Sequence, residues 1–143
     1  MDLEAAAEQL FPVVPGLGYG LVDEGALEAF GRTREDDPEI GPYLQGVVGR
    51  WIGNTESPVG VAMALLVDPA SGAAQHAADQ LAAGAEELEI EGQPCYRFGD
   101  VAGSRFLVTC APPVVLYLSG RDDLALAGVA GSLFRAWKAD GRV

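Results

Sequence analysis

The sequence predicts an α+β fold: an antiparallel sheet of about five or six strands with two main helices on one face, built from 143 residues as a single domain. Three observations predict it. Val59, Val61, Met63, Leu65 and Val67 alternate with Gly60, Ala62, Ala64 and Leu66, the period of a strand that is apolar on both faces. Ala70, Ala73, Ala74, Ala77 and Leu81 recur at helical spacing. From residue 86 onward, four short strand-like runs separated by turn signals lead into a last amphipathic helix. Residues 43–143 therefore read β-β-α-β-β-β-β-α, behind a helical and loop segment over 1–42.

Residues 3–11 begin the chain as a short helix, with Leu3, Ala6, Ala7 and Leu10 on one stripe and Pro12 and Pro15 ending it. Gly16, Gly18 and Gly20 make the next stretch turn-rich, and residues 19–22 read as a short edge strand. Asp23 caps a brief helix through Phe30, closed by Gly31. Residues 32–42 are charged, carry Pro38 and Pro42, and read as a mobile loop. Residues 44–52 and 59–67 then form a hairpin about a polar turn. The second strand of this hairpin is central, and its small face is assigned to the alanine-rich helix that follows. That helix opens at Asp68-Pro69, an N-cap followed by proline at the first helical position, and closes at Gly84.

In residues 86–91, Leu88 and Ile90 point inward and Glu87, Glu89 and Glu91 outward. Gly92-Gln93-Pro94 turns the chain into strands over 95–99, 105–110 and 114–119, the last two separated by Ala111-Pro112-Pro113. Asp122 and Asp123 start the final helix, where its dipole favours anions, and Arg135, Lys138 and Arg142 end it. Leu126, Val129, Ala130, Leu133 and Trp137 form its core stripe.

Composition excludes several functions. Acids outnumber bases 21 to 9, for a net charge of −12, whereas a nucleic-acid binder needs clustered cations to neutralise phosphate. The same balance disfavours anionic membrane surfaces. No apolar run approaches the ~20 residues that span a bilayer, so no membrane insertion is expected. Residues 1–40 hold ten acids against Arg32 and Arg34, a solvated acidic surface or a docking face for a basic partner. The acidic start lacks the features of a secretory signal. The chain is thus expected in the cytoplasm as written, and outside the membrane if it is part of a longer exported or anchored protein. Abundant Ala, Gly and Arg with a single lysine, Lys138, is the composition of a GC-rich bacterial genome.

Chemistry-bearing residues are few: one histidine, His76, and two cysteines, Cys95 and Cys110. A hairpin closing through a two-residue turn at Ala102-Gly103 places Cys95 opposite Cys110, with Cβ atoms about 4.5–5.5 Å apart, close to disulfide range. A disulfide is expected if the chain is exported and two buried free thiols if it is cytosolic, with a redox switch as a further alternative. Two thiolates without a neighbouring histidine do not fill a zinc shell. The acids at Glu35, Asp36, Asp37 and Glu39 lack the spacing of a calcium loop. Gly16-Leu17-Gly18-Tyr19-Gly20 lacks the spacing of a dinucleotide loop. No metal or cofactor is therefore expected. His76 sits off the alanine stripe, as a surface histidine does, and a general base would need a carboxylate and a nucleophile beside it; Asp79 is its i+3 neighbour. Tyr43, Trp51, His76, Tyr96 and Tyr117, with Tyr19, are either core and cross-strand packing or the lining of a pocket or partner surface.

Three stretches carry a resemblance of layout: Phe11-Pro12-Val13-Val14-Pro15-Gly16-Leu17-Gly18-Tyr19, the strand leading into a helix at Asp68-Pro69, and the strand over 114–119 leading into a helix at Asp122. Together they resemble small actinobacterial α+β sensor-like domains, a group often tethered outside the membrane. The resemblance implies the fold but carries no catalytic motif. The expected role is a non-catalytic binding or protein-interaction module of a bacterial protein, with a protein partner or self-association as a homodimer. The alternatives are a small enzyme with its site between the 32–42 loop and the sheet, and a subunit of a larger assembly.

Overall fold

A strand that is apolar on both faces needs cover on both. The computed structural model describes residues 3–12, 17–21, 36–54, 57–111 and 114–141. They form α1 (Leu3–Leu10), β1 (Leu17–Leu21), a 3-10 turn (Gly41–Tyr43), β2 (Leu44–Asn54), β3 (Ser57–Val67), α2 (Ala73–Ala82), β4 (Glu86–Ile90), β5 (Gln93–Gly99), β6 (Arg105–Ala111), β7 (Val114–Gly120) and α3 (Asp123–Ala139). All strand pairs are antiparallel, in one seven-stranded sheet of order β1-β2-β3-β7-β6-β5-β4. The seventh strand is the short N-terminal edge β1. The helix expected over residues 23–30 and the first part of the 32–42 loop lie outside the described residues.

The two main helices lie on opposite faces of the sheet, not on one. Ala62, Ala64 and Leu66 of β3, with Leu116 and Leu118 of β7, share a buried cluster with Leu126, Leu133, Phe134 and Trp137 of α3 and with Leu10 and Phe11 at the end of α1. Leu65 and Val67, with Val115, Tyr117 and Val108, cluster instead with Ala73, Ala74 and Ala77 of α2 and with Ile40. The small face of β3 therefore takes the bulky helices, and the alanine-rich helix takes the larger face. Close packing explains the exchange: Phe11, Phe134 and Trp137 need the room that alanines leave, while alanines on α2 let it approach leucine and valine closely.

Trp137 also joins the two ends of the chain. Its indole Nε1 donates to the Leu10 carbonyl at 2.7 Å, satisfying one of the acceptors that the last turn of α1 leaves without a helical partner. The ring lies 5.7 Å from that of Phe134.

Local chemistry sets the remaining boundaries. Asp68-Pro69 makes a turn rather than starting α2: the Ala70 amide donates to Asp68 Oδ1 at 2.9 Å, and the Ser71 hydroxyl donates to the Asp68 carbonyl at 2.7 Å. The helix begins at Ala73, after Gly72. Glu91 and Gly92, with φ of 51° and 79°, close the β4–β5 hairpin in a two-residue turn that needs positive φ at both positions. The turn is held from α3, where Arg135 donates to the Glu91 carboxylate at 2.7 Å and Lys138 donates to the Glu91 carbonyl. At the N-terminus of α3, where the helix dipole favours Asp122 and Asp123, the Asp122 side chain also caps the helix, accepting from the Leu124 amide at 2.9 Å.

Replacing Trp137 with phenylalanine keeps most of the packing but leaves the Leu10 carbonyl without its donor. A loss of about 1–3 kcal/mol is expected from urea unfolding. An unchanged midpoint would show that this bond does not tie the helices together.

Candidate functional site

Ten residues of α2 reach about 15 Å, whereas eleven residues of β3 extend about 36 Å. The helix is thus too short to cover its face of the sheet, and among the described residues one end stays open. A single cross-strand row runs through this open part: Trp51 pairs with Val61, Val61 with Ser119, Ser119 with Phe106, and Phe106 with Phe98. All five are half-buried. The Phe98 and Phe106 rings stack, with centroids 5.1 Å apart and planes 16° from parallel. Val59, at the rim, is 61% exposed.

Where this row meets the ends of β3 and β7, a solvent-open groove of about 350 Å³ is lined by Trp51, Val59, Val61, Ser104, Ser119 and Arg121, with the backbone of Gly60 and Gly120. Its lining joins the apolar Trp51, Val59 and Val61 to the polar Ser104, Ser119 and Arg121. Ser104 belongs to the β5–β6 loop, which is built on Asp100: its Oδ1 accepts from the amides of Ala102 and Ser104 at 3.0 and 2.9 Å. Gly103 supplies the positive φ, 89°, that closes this loop. Arg121 reaches across toward it and donates to the Ala102 carbonyl at 3.5 Å.

The loop also decides the fate of the cysteines. Phe98 pairs with Phe106 and Gly99 with Arg105, one residue away from the register that a two-residue turn at Ala102-Gly103 would give. A shift of one residue reverses the face of every side chain. Cys95 consequently packs in the cluster under α3, while Cys110 borders the one under α2. Both are free thiols on opposite sides of the sheet. Burial pushes each thiol up to about 11, so both stay protonated at neutral pH, which makes them poor nucleophiles and poor metal ligands. The predicted disulfide and redox pair are therefore not formed.

His76, on α2, meets Asp37 across the turn preceding β2, with Nε2 3.3 Å from Oδ2. The turn is anchored rather than mobile over its described part: Ile40 is 1% exposed, and the Ile40 and Gly41 amides donate to the Asp37 carbonyl at 3.1 and 2.7 Å. Asp37 Oδ1 accepts from the Glu39 amide at 2.8 Å. That bond first, then contacts with Gln80 and His76, hold the Asp37 carboxyl below the usual carboxylate range. Asp79, the i+3 neighbour, accepts instead from Gln75 at 2.6 Å.

The other predicted residues disperse. Trp51 lies in the groove and Tyr96 is half-buried on a neighbouring strand, whereas Tyr117 is 5% exposed in the cluster beneath α2 and Tyr43 is 42% exposed in the 3-10 turn. Tyr19 lies in β1. Sequence reasoning missed Phe98, Phe106, Ser119 and Arg121 as members of one surface. The alternation placing Val59, Val61 and Met63 on one face was readable; the register aligning Phe98 with Phe106 was not.

Among the described residues no helix is long and apolar enough to cross a membrane, and no group of three or more metal-ligating side chains comes together. Compared with family models, curated proteins and solved structures, the chain matches none.

Two outcomes follow. A thiol reagent such as dithionitrobenzoate should react slowly at Cys110 in the folded protein and reach Cys95 only on unfolding; intact mass without reductant should show both thiols free. A mass two hydrogen atoms lighter would restore the cross-strand disulfide. Asp37 has a folded pKa below its unfolded value, so its stabilising contribution is present above about pH 4 and is lost as pH falls through the folded pKa. The melting-temperature gap between native protein and Asp37→Asn should be constant near neutrality and shrink in acid. A gap that does not change with pH would show that the carboxyl is unperturbed.

Proposed function

We propose that this chain is a non-catalytic binding module of a bacterial protein, engaging a protein partner through the open part of the α2-side face. The observation that carries the reading is the half-exposed row Trp51–Val61–Ser119–Phe106–Phe98, apolar at four of five positions. A flat apolar strip of this kind, edged by polar groups, is characteristic of partner contacts. The enzyme alternative has less behind it. The His76–Asp37 pair ties a turn to a helix, and the two thiols are held protonated on opposite faces. A second copy is a weaker candidate than a different protein, because both copies would carry a net charge of −12.

Site-specific photocrosslinking in cells tests this. A benzophenone residue placed at Val59, 61% exposed on the face, should yield one discrete crosslinked product. The same residue at Leu124, 83% exposed on α3, should not. Equal labelling from both positions would remove the face from consideration. A product of twice the 14.9 kDa chain, matched by light scattering, would assign the face to self-association.

A further inference from the structure

The groove at the end of the open row combines features that an apolar contact surface does not require. Arg121 and the hydroxyl-bearing Ser104 and Ser119 line it together with Trp51, Val59 and Val61. Among the arginines at the described surface, the pairing of charges sets Arg121 apart. Arg97 meets Glu86 at 2.9 Å, Arg105 meets Asp123 at 2.9 Å and Arg135 meets Glu91 at 2.7 Å. Arg121 has no carboxylate partner among the described residues, only the Ala102 carbonyl at the limit of hydrogen bonding, 3.5 Å. In a chain where acids outnumber bases 21 to 9, an arginine left without a carboxylate beside a groove has its fork available to one from outside.

Resting on the proposed binding role, we infer that this groove receives the C-terminal carboxylate of the partner, with the carboxylate on Arg121 and the two serine hydroxyls and an apolar last side chain against Trp51, Val59 and Val61. A chain end is favoured over a free small acid by shape. The groove is open to solvent and continues into the half-exposed row, whereas small-molecule sites bury most of their ligand's surface. Its volume, about 350 Å³, is at the small end of the range for ligand pockets and fits a terminal residue rather than a long segment. The net negative charge of the chain repels carboxylates in general, so recognition of one needs a local cation, and Arg121 is placed to supply it.

The test uses Trp51 emission, which is separable from that of the buried Trp137 by a Trp51→Phe control. The probe is a hexapeptide of alanine and glycine ending in phenylalanine, supplied as free acid and as C-terminal amide. Saturable binding of the acid is expected, with about tenfold weaker binding of the amide. Arg121→Gln, an exposed substitution, should weaken the acid by about the same factor and leave the amide unchanged. Equal binding of acid and amide, or an acid insensitive to Arg121→Gln, would overturn the carboxylate assignment while leaving the apolar face intact as a contact surface. Phenylpropionate binding as tightly as the peptide acid would overturn the chain end in favour of a small acid. Absence of binding by every probe would also overturn the inference. The Val59 crosslinking result stands independently of all three outcomes, so failure here and failure of the binding role are told apart.

Discussion

Two-sided burial of the central strands is the constraint from which the rest of this molecule follows. Residues of β3 and β7 are buried alternately on both faces, so the sheet cannot rest one side against water, as many antiparallel sheets do. Each face must find its own cover, and the two covers differ in kind. Beneath α3 and α1, Ala62 and Ala64 of β3 leave room among larger neighbours, and the rings of Phe11, Phe134 and Trp137 fill it. Beneath α2 the sheet offers leucine, valine and a tyrosine ring, and the helix contributes the methyl groups of Ala73, Ala74 and Ala77. Size complementarity across each layer thus assigns each helix to its face. The Trp137–Leu10 hydrogen bond then closes the thicker layer by joining elements from opposite ends of the chain.

The thinner layer leaves part of its face uncovered by α2 among the described residues. A helix of ten residues cannot roof strands that extend more than twice as far, and the remaining apolar row is left partly in contact with solvent. Charge is arranged differently at this edge than elsewhere. On the α3 side, Arg97, Arg105 and Arg135 are matched with Glu86, Asp123 and Glu91, pairs that join strands and turns to each other and to the helix. Such exposed pairs contribute little stability each but leave little charge unsatisfied. At the open edge, Arg121 lines the groove with serine hydroxyls and apolar side chains instead. Acids thus neutralise the cations that join strands, turns and helix on the α3 side, whereas Arg121, without a carboxylate partner among the described residues, lies beside the open row.

The cysteines show how one residue of register separates two chemistries. Opposed across a ladder, Cys95 and Cys110 would make a redox pair; displaced by one position, they become two inert fillers of separate clusters. The difference arises in a loop of a few residues, where Asp100 accepts from two amides and Gly103 takes a positive φ. The same displacement stacks Phe98 on Phe106. A feature expected to carry chemistry is thereby exchanged for one that shapes a surface.

Periodicity by itself determined the order and type of the elements after residue 43, the centrality of the 59–67 strand and the buried stripe of the last helix, because burial imposes spacings of 2 and 3.6 that any window of sequence displays. Asp122 was legible as a helix start because acids favour the positive end of the helix dipole; that it caps the helix through the Leu124 amide is what the structure adds. Tertiary structure alone decided which face each helix covers, the start of α2 five residues beyond Asp68, the β5–β6 register, and the meeting of His76 with Asp37. Each of these depends on contacts between segments distant in sequence, or on a choice between near-equal local turns that only packing of the whole sheet resolves. The open row and the groove at Arg121 belong to the same class: they are defined by where a helix on the other side of a loop stops, a length no strand records.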